Sequence, residues 1–315
     1  MHNPADKGNF IGCFDSITMR KSIYWGVFLV FLGACSYGVL ATIVKVAYNN
    51  GFNTLEITFS QFAIGWIALL VILLMTKNNS SPVGSNLQSK RKLMIAGTSM
   101  GLTSVLYYLC VKNIDVSIAI VLLMQSTWMG VIVEWLIERK TPSRQKIIAA
   151  IVVLIGTALS AKIFNSTYEE LNGLGFLFGF LASISYTITV YASGKVALKM
   201  PAIHRSFWML SGGFVIIFIY GLITFSGTFN TDILVSYGIP LALFGTVLPP
   251  ILFAYGMPSA GTAAGTIVGA VELPISVIMA YFILNENVIP TQWIGILLIL
   301  LAVVLMNYQK KSSIN

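Results

Sequence analysis

The chain has 315 residues, of which 57% are hydrophobic and 10% charged, and it carries a formal net charge of +8 at pH 7. Because an ordinary soluble domain has about a quarter charged residues, this composition excludes a soluble domain and predicts a protein that lies in a membrane. The positive charge does not indicate nucleic-acid binding, since the basic residues are spread through short segments between apolar runs and form no single patch.

Ten apolar runs follow one another along the chain. A helix that crosses the hydrocarbon core needs roughly 20 mainly apolar residues, and the fifth and eighth runs are short for such a helix. Alternating segments of about ten residues, which are typical of membrane β-strands, are absent. We therefore predict an all-α membrane protein, surrounded by membrane lipids, with ten transmembrane helices at 23–47, 55–75, 93–111, 117–137, 147–161, 173–192, 207–225, 237–254, 261–284 and 291–307.

Signals for processing, metals and cofactors are weak or missing. The first apolar run is too long for a cleaved signal sequence, so we expect it to remain as a helix. Cys13, Cys35 and Cys110 have neither disulfide nor metal-binding spacing, and His2 and His204 have no potential ligand partner nearby. We expect no metal and no cofactor, and the chain has no Walker-type nucleotide-binding loop.

The basic residues predict the orientation in the membrane. With the N-terminus inside, every Lys and Arg except Lys45, Lys112 and Lys162 falls on the cytoplasmic side, as the positive-inside rule requires. We therefore expect both termini to be cytoplasmic.

Two junctions between predicted helices share a pattern. The fourth helix is followed by Glu138 and Pro142, and the ninth by Glu286 and Pro290, with the same offset along the chain between the two glutamates and between the two prolines. This match indicates an internal repeat. The alternative is a chance helix-turn-helix signature, because proline suits the first turn of any helix.

A second match involves the first and sixth helices, where Ser36-Tyr37 corresponds to Ser185-Tyr186. With five helices in each half, the second half must be inserted upside down relative to the first. Inverted repeats of this kind place a substrate site near the bilayer midplane. The predicted organisation is a cytoplasmic tail at 1–22, a first five-helix repeat at 23–161, an external linker at 162–172, a second repeat at 173–307 and a cytoplasmic tail at 308–315.

With these features the chain resembles the EamA-type branch of the drug/metabolite transporter superfamily. The resemblance rests on the five-plus-five arrangement, on the two acid-proline junctions and on Glu272 and Pro274. It covers 23–307 and implies an inner-membrane transporter, often an exporter of amino acids or related metabolites. It also implies a central cavity lined by the first, third, fourth, sixth, eighth and ninth helices. Gln61 stands where family members often have an arginine, so we expect a salt bridge common in the family to be missing.

Glu272 lies in the middle of the ninth apolar run. A carboxylate at the bilayer centre costs about 2.5–3.5 kcal/mol on insertion scales, so it should face protein or water. It shares a predicted helix face with Gly261, Gly265 and Gly269, whose spacing is typical of close helix packing. We predict that Glu272 binds a substrate ammonium group or exchanges a proton during transport. The alternative is a buried polar link between helices.

Prolines interrupt two neighbouring apolar runs at similar depth. Pro274 cannot donate to the Ala270 carbonyl, and Pro249-Pro250 lies in the eighth run. Freed backbone groups at the midplane are tolerated only where protein or water satisfies them. We predict helix breaks with a role in gating at these prolines, with a static kink as the alternative.

Other candidates follow from their depth within a run. Lys45 could bind a substrate carboxylate, or its ammonium could reach outward to the membrane surface. Glu134 should form an interfacial ion pair with Arg139 or Lys140. For the remaining candidates, packing between helices is at least as good an explanation as substrate binding. These candidates for substrate binding are Ser36, Tyr37, Gln125, Trp128, Ser185 and Tyr186.

Gly97 and Gly101 in the third run, and Gly175 and Gly179 in the sixth, predict further close contacts between helices. We predict a secondary transporter that moves a small molecule by alternating access. The alternatives are an intramembrane enzyme, for which neither H-E-x-x-H nor G-x-S-x-G is present, and a receptor or structural membrane protein. The pattern suits a zwitterion such as an amino acid, but also amphipathic cations, and it specifies neither the coupling ion nor the oligomeric state.

Overall fold

The computed structural model describes residues 6–75, 86–114, 116–160, 172–225, 227–284 and 288–307. Within these ranges the chain forms helices and turns and no strand, as an all-α fold requires. Glu286, most of the predicted external linker and the C-terminal tail lie outside the described residues. The α-helices are α1 Asp6–Asn49, α2 Thr54–Met75, α3 Leu87–Asn113, α4 Val116–Leu123, α5 Ser126–Leu136, α6 Arg144–Ser160, α7 Gly173–Lys195, α8 Ala202–Thr224, α9 Ile239–Ala242, α10 Leu248–Ala260, α11 Thr262–Gly269, α12 Glu272–Leu284 and α13 Pro290–Asn307.

Eight helical stretches of the described chain are long and apolar enough to cross a membrane. Two further helices are shorter, α6 with 17 residues and α13 with 18, so a count of ten membrane crossings stays a prediction. The eighth run was expected to be short but is helical over 27 residues. The eight stretches are Ile23–Asn49, Thr54–Met75, Leu87–Asn113, Ile118–Leu136, Gly173–Lys195, Ala202–Thr224, Leu234–Ala260 and Thr262–Leu284.

The fourth and ninth spans are each divided into two helices. In the ninth span, α11 and α12 are separated by a turn at Ala270 and Val271. Pro274 lies in the first turn of α12 and has no N–H for the Ala270 carbonyl, which instead accepts the Leu273 N–H at 3.2 Å. In the fourth span, Met124 and Gln125 form the turn between α4 and α5. No proline lies at this break.

The eighth span is irregular before its two prolines and not at them. Pro249 and Pro250 lie in the first turn of α10, and the helix continues through them. Two π-helical turns precede them, Leu234–Gly238 and Leu243–Val247, on either side of α9. The predicted interruption at the prolines is therefore corrected: a π-helical widening accommodates the missing proline N–H groups, and such widenings are frequent at functional sites.

The two halves of the chain interleave. In the first half α1 packs against α10 and α12, and in the second half α7 packs against α3 and α4. The contacts between α2 and α8, and between α6 and α13, also join one half to the other. The centre of the bundle is therefore built from helices of both halves.

Glycines set several of these contacts. A Cβ atom on Gly97 would collide with the backbone of Met209, and one on Gly101 with the backbone of Gly213, so α3 and α8 touch backbone to backbone. On α7, Gly175 lies against Ile114 and Asn113 and Gly179 against Leu122 and Cys110.

The prediction that the glycines of the ninth span share one packing face is wrong in part. Gly261 lies outside the helix, between α10 and α11, with φ of 83° and no neighbour near its Cβ position. Its role is therefore conformational, because other residues rarely adopt positive φ. Gly265 packs against Met257, and Gly269 lies beside the Tyr186 hydroxyl, so the three glycines do not form one surface against a single helix.

Candidate functional site

An internal cavity lies where the two halves meet. It holds about 590 Å³ of empty space, including the space at its opening. Aliphatic side chains from α1, α3 and α4 form part of its wall. Its polar and aromatic wall consists of Tyr37, Gln61, Thr103, Ser104, Tyr107, Tyr108, Tyr186, Thr189 and Glu272.

Glu272 is the first residue of α12 and follows the turn that divides the ninth span. The side chain faces the cavity, and the residue is only 6% exposed. Among the described residues, none donates a hydrogen bond to its carboxylate or forms an ion pair with it. The site thus presents an acid whose partner the protein does not supply.

The close approach of α1 positions this acid. A Cβ atom on Gly38 would lie 2.6 Å from the Glu272 carbonyl oxygen and 2.6 Å from Ile275 Cβ. Only glycine leaves room for that contact. Gly38 therefore lets α1 pack directly on the turn from which Glu272 projects.

Tyrosines surround the acid. The rings of Tyr37 and Tyr186 meet edge to face with centroids 6.5 Å apart, and Tyr37 makes a similar contact with Phe253 at 5.8 Å. The rings of Tyr107 and Tyr108 lie 6.0 Å apart. All four tyrosines line the same cavity as Glu272.

The hydroxyls differ in their partners. Tyr108 donates to Gln61 Oε1 at 2.9 Å. The hydroxyls of Tyr107 and Tyr186 are buried and have no partner among the described residues. Because an unpaired buried hydroxyl costs about 1–3 kcal/mol, these two groups are suited to a ligand or a water molecule in the cavity.

Three of the predicted site residues line the cavity: Glu272, Tyr37 and Tyr186. The serines beside the tyrosines do not. Ser36 donates to the Phe244 carbonyl at 2.9 Å, and Ser185 donates to the Ser99 carbonyl at 2.7 Å. Neighbouring residues of a helix project about 100° apart, so each tyrosine points inward while its serine holds a neighbouring helix.

Three further candidates lie outside the cavity wall. Trp128 donates to Gln125 Oε1 at 2.9 Å, and Gln125 donates to the Val121 carbonyl at 3.1 Å, so these polar groups are used next to the break in the fourth span. Lys45 is also absent from the wall, because Leu40 and Val44 share the cavity face of α1 with Tyr37 and Lys45 is one step further round. These placements favour the alternatives of helix packing and outward reach for these three residues, and their role in substrate binding stays a prediction.

The sequence analysis overlooked one polar face of α3. Thr103, Ser104, Tyr107 and Tyr108 all line the cavity. Their spacing of one and four residues places them on a single side of the helix. That spacing was visible in the sequence and was the signal that could have found them.

The opposite end of the bundle is closed by a cluster around Glu138. Its carboxylate accepts from Lys195 at 2.7 Å and from the Thr262 hydroxyl at 2.6 Å, and Lys140 lies 3.5 Å away. Burial acts to raise the pKa of the Glu138 carboxyl, but the hydrogen bonds and charges of these neighbours outweigh it, so the pKa lies below its ordinary value. The cluster joins the end of the fourth span to the end of α7 and the start of α11.

Two other charged groups near the helix ends also have partners within the protein. Glu134 pairs with Lys146 at 2.6 Å, which corrects the expected pairing with Arg139 or Lys140. The Arg205 guanidinium donates to the carbonyls of Ser193 and Ala254. These contacts use the charged groups at this end of the bundle for structure.

The described chain is thus a multi-pass helical membrane protein with a mainly apolar cavity between its halves, into which the acid Glu272 faces. Residues 24–162 and 173–308 both match the EamA-like transporter family, and the chain belongs to that family. It is therefore a membrane transporter.

Similar proteins have comparable length. An uncharacterized transporter of Archaeoglobus fulgidus is 26% identical over 289 residues, which cover 90% of this chain and 97% of that protein. An uncharacterized transporter of Synechocystis sp. is 23% identical over 312 residues, covering 91% and 94%. A crystal structure described only as that of a protein superposes with a TM-score of 0.72 at 11% identity, over 89% of this chain and 96% of the other, and so shares the fold.

Proposed function

We propose that this protein is a secondary transporter that moves a small amphipathic metabolite, such as an amino acid or a related compound, across the inner membrane by alternating access. The observation that carries the proposal is the Glu272 carboxylate, buried in a cavity between the two halves without a partner among the residues that the structure describes. Buried ionisable groups inside a membrane are rare and typically mark substrate or ion pathways.

An inverted arrangement of the two halves is supported by reciprocal contacts. Ser36 of the first span bonds to the backbone of the eighth, and Ser185 of the sixth bonds to the backbone of the third. Both the fourth and the ninth spans are broken near their middle. In transporters with inverted repeats, substrate sites lie at such discontinuous helices.

The position of the cavity supports a proposal for which end of the protein is closed in this structure. Its wall uses the half of α1 that ends at Asn49 and the half of α3 that ends at Asn113, whereas the Glu138 cluster lies at the other end. With both termini in the cytoplasm, the Glu138 cluster is cytoplasmic and the cavity lies nearer the outside. Entry from the cytoplasm would then require Glu138 and Lys195 to separate. Export, the direction implied by the resemblance, would follow this path.

Glu272 is also the group that we propose for proton coupling. Transport by the full-length protein in liposomes should depend on pH, and the Glu272→Gln variant should lose both most of its rate and this dependence. Glu134→Gln, which removes an acid outside the cavity, is the matched control and should transport normally. Normal transport by Glu272→Gln at every pH would exclude a role for this acid in binding and in coupling.

A further inference from the structure

The charges around the cavity are strongly one-sided. Glu272 is an acid, and none of the described residues of the wall is a lysine, arginine or histidine. Lys195 is paired with Glu138 and Arg205 with backbone carbonyls, both at the cytoplasmic end of the bundle. A substrate carboxylate in this cavity would therefore meet no basic side chain of the described wall.

The unpaired acid favours a ligand with the opposite charge. A charged group that is buried without a partner is costly, and a ligand ammonium beside Glu272 would remove that cost. The buried hydroxyl oxygens of Tyr107 and Tyr186 can accept further N–H groups of the same ammonium. A cationic nitrogen at this place would thus meet groups that the described residues leave unpaired.

The rest of the wall suits an apolar, flat body. Tyr37, Tyr186 and Phe253 form a connected series of edge-to-face rings, and Leu40 and Val44 add aliphatic surface. Cations are attracted to the faces of such rings. A zwitterion, by contrast, would bring a second carboxylate into the same low-dielectric space as Glu272, where like charges repel.

We propose that the substrate class is a small organic amine with one positive charge, an apolar or aromatic body and no free carboxylate. This inference rests on the proposed function, because it takes the cavity to be the transport site. Among metabolites related to amino acids it selects the amines that remain after loss of the carboxyl group, rather than the zwitterions.

Five probes with the same phenyl ring separate the possibilities: 2-phenylethylamine, phenylalanine methyl ester, phenylalanine, 3-phenylpropionate and 2-phenylethanol. Binding to the purified full-length protein would be followed by calorimetry and by the shift in Tm. We expect the amine and the ester to bind at least about tenfold more tightly than the other three, a difference of about 1.4 kcal/mol.

Three variants in the cavity and one control outside it test the assignment to this cavity. Glu272→Gln should abolish the preference for the amine over the alcohol, whereas Glu134→Gln should retain it. Tyr107→Phe and Tyr186→Phe keep the ring and remove only the hydroxyl, so they should fold normally and weaken amine binding by roughly two- to tenfold. Their normal folding keeps the test valid if Glu272→Gln proves unstable.

Several outcomes would overturn the inference: equal or tighter binding of phenylalanine or phenylpropionate, equal binding of the alcohol, an amine preference that survives in Glu272→Gln, or no binding of either cationic probe. Flux separates this inference from the proposed function. Amine binding without exchange of labelled amine across liposomes would retain the site and contradict transport. Exchange of labelled phenylalanine in preference to the amine would support transport and contradict the proposed class.

Discussion

Gly38 is the residue on which the position of Glu272 depends most directly. In Gly38→Ala the new methyl group would collide with the Glu272 carbonyl and with Ile275. Overpacking of this kind costs about 1–3 kcal/mol, and the collision should displace the acid. We expect a lower Tm and at least about a tenfold loss of transport rate.

Gly173→Ala is the matched control for this prediction. A Cβ atom on Gly173 has no neighbour within 4 Å, so the variant should keep both Tm and transport rate. Unchanged transport in Gly38→Ala would show that α1 does not position the acid.

At the residue scale, Glu272 was easier to predict from the sequence than the residues that surround it. Glu272 was identifiable because a charge in an apolar run must face protein or water. Tyr37 and Tyr186 followed from a repeated dipeptide. Their neighbours Ser36 and Ser185 were predicted with them, because depth in a span does not tell which side of a helix a residue occupies. That side depends on packing between distant parts of the chain.

At the element scale, Pro274 accounts for the break in the ninth span. Pro274→Ala would restore an N–H that can reach the Ala270 carbonyl, so α11 and α12 could join into one helix and turn Glu272 away from the cavity. We expect transport to fall at least about tenfold while Tm stays the same or rises. Flux and thermal unfolding of the same preparation would check both.

Pro290→Ala provides the comparison, since Pro290 begins α13 and proline at that place withholds no helix hydrogen bond. It should leave transport unchanged. Full activity in Pro274→Ala would mean that the turn at Ala270 and Val271 is not required for the site.

The break in the fourth span could not be predicted from the sequence. No proline or glycine lies between α4 and α5, and the apolar run reads as one helix. The turn at Met124 and Gln125 depends on tertiary contacts, such as the packing of α4 on α7 and of α5 on α11. The break near Pro274 was predictable because proline acts through its own ring.

At the scale of the whole molecule, the Glu138 cluster links three spans at one end. Its lowered pKa means that the carboxylate contributes stability above its ordinary pKa of 4.5, and that this contribution is lost as the pH falls through the lower folded value. Glu138→Gln should therefore lower Tm at neutral pH, and the difference from the parent protein should disappear in acid. Thermal unfolding between neutral and acidic pH would measure this.

The same substitution should also change the conformational balance. Without the Lys195 ion pair, the end of the bundle that holds the Glu138 cluster should open more readily, and a cysteine placed on the cavity side of that end should react faster. Equal reactivity in parent and variant would show that the cluster does not hold that end closed.

The all-helical membrane fold was predictable because the apolar runs extend over long stretches of sequence. The orientation expected from the basic residues and the repeat expected from the two junctions stay predictions. The Glu138 motif was recognised, but its partners Lys195 and Thr262 lie far away in sequence. Only folding brings those three ends together.

Under the proposed inverted arrangement, the ring contact between Tyr37 and Tyr186 joins one position of an ancestral five-helix unit to its own copy. Such a unit would have inserted in both directions and paired with itself at the membrane centre. A paired ancestor would carry either no central acid or two that repel each other. Duplication and fusion of such a unit would remove that constraint, because each copy could then carry a different residue after its turn, as Ser126 at the start of α5 and Glu272 at the start of α12 do.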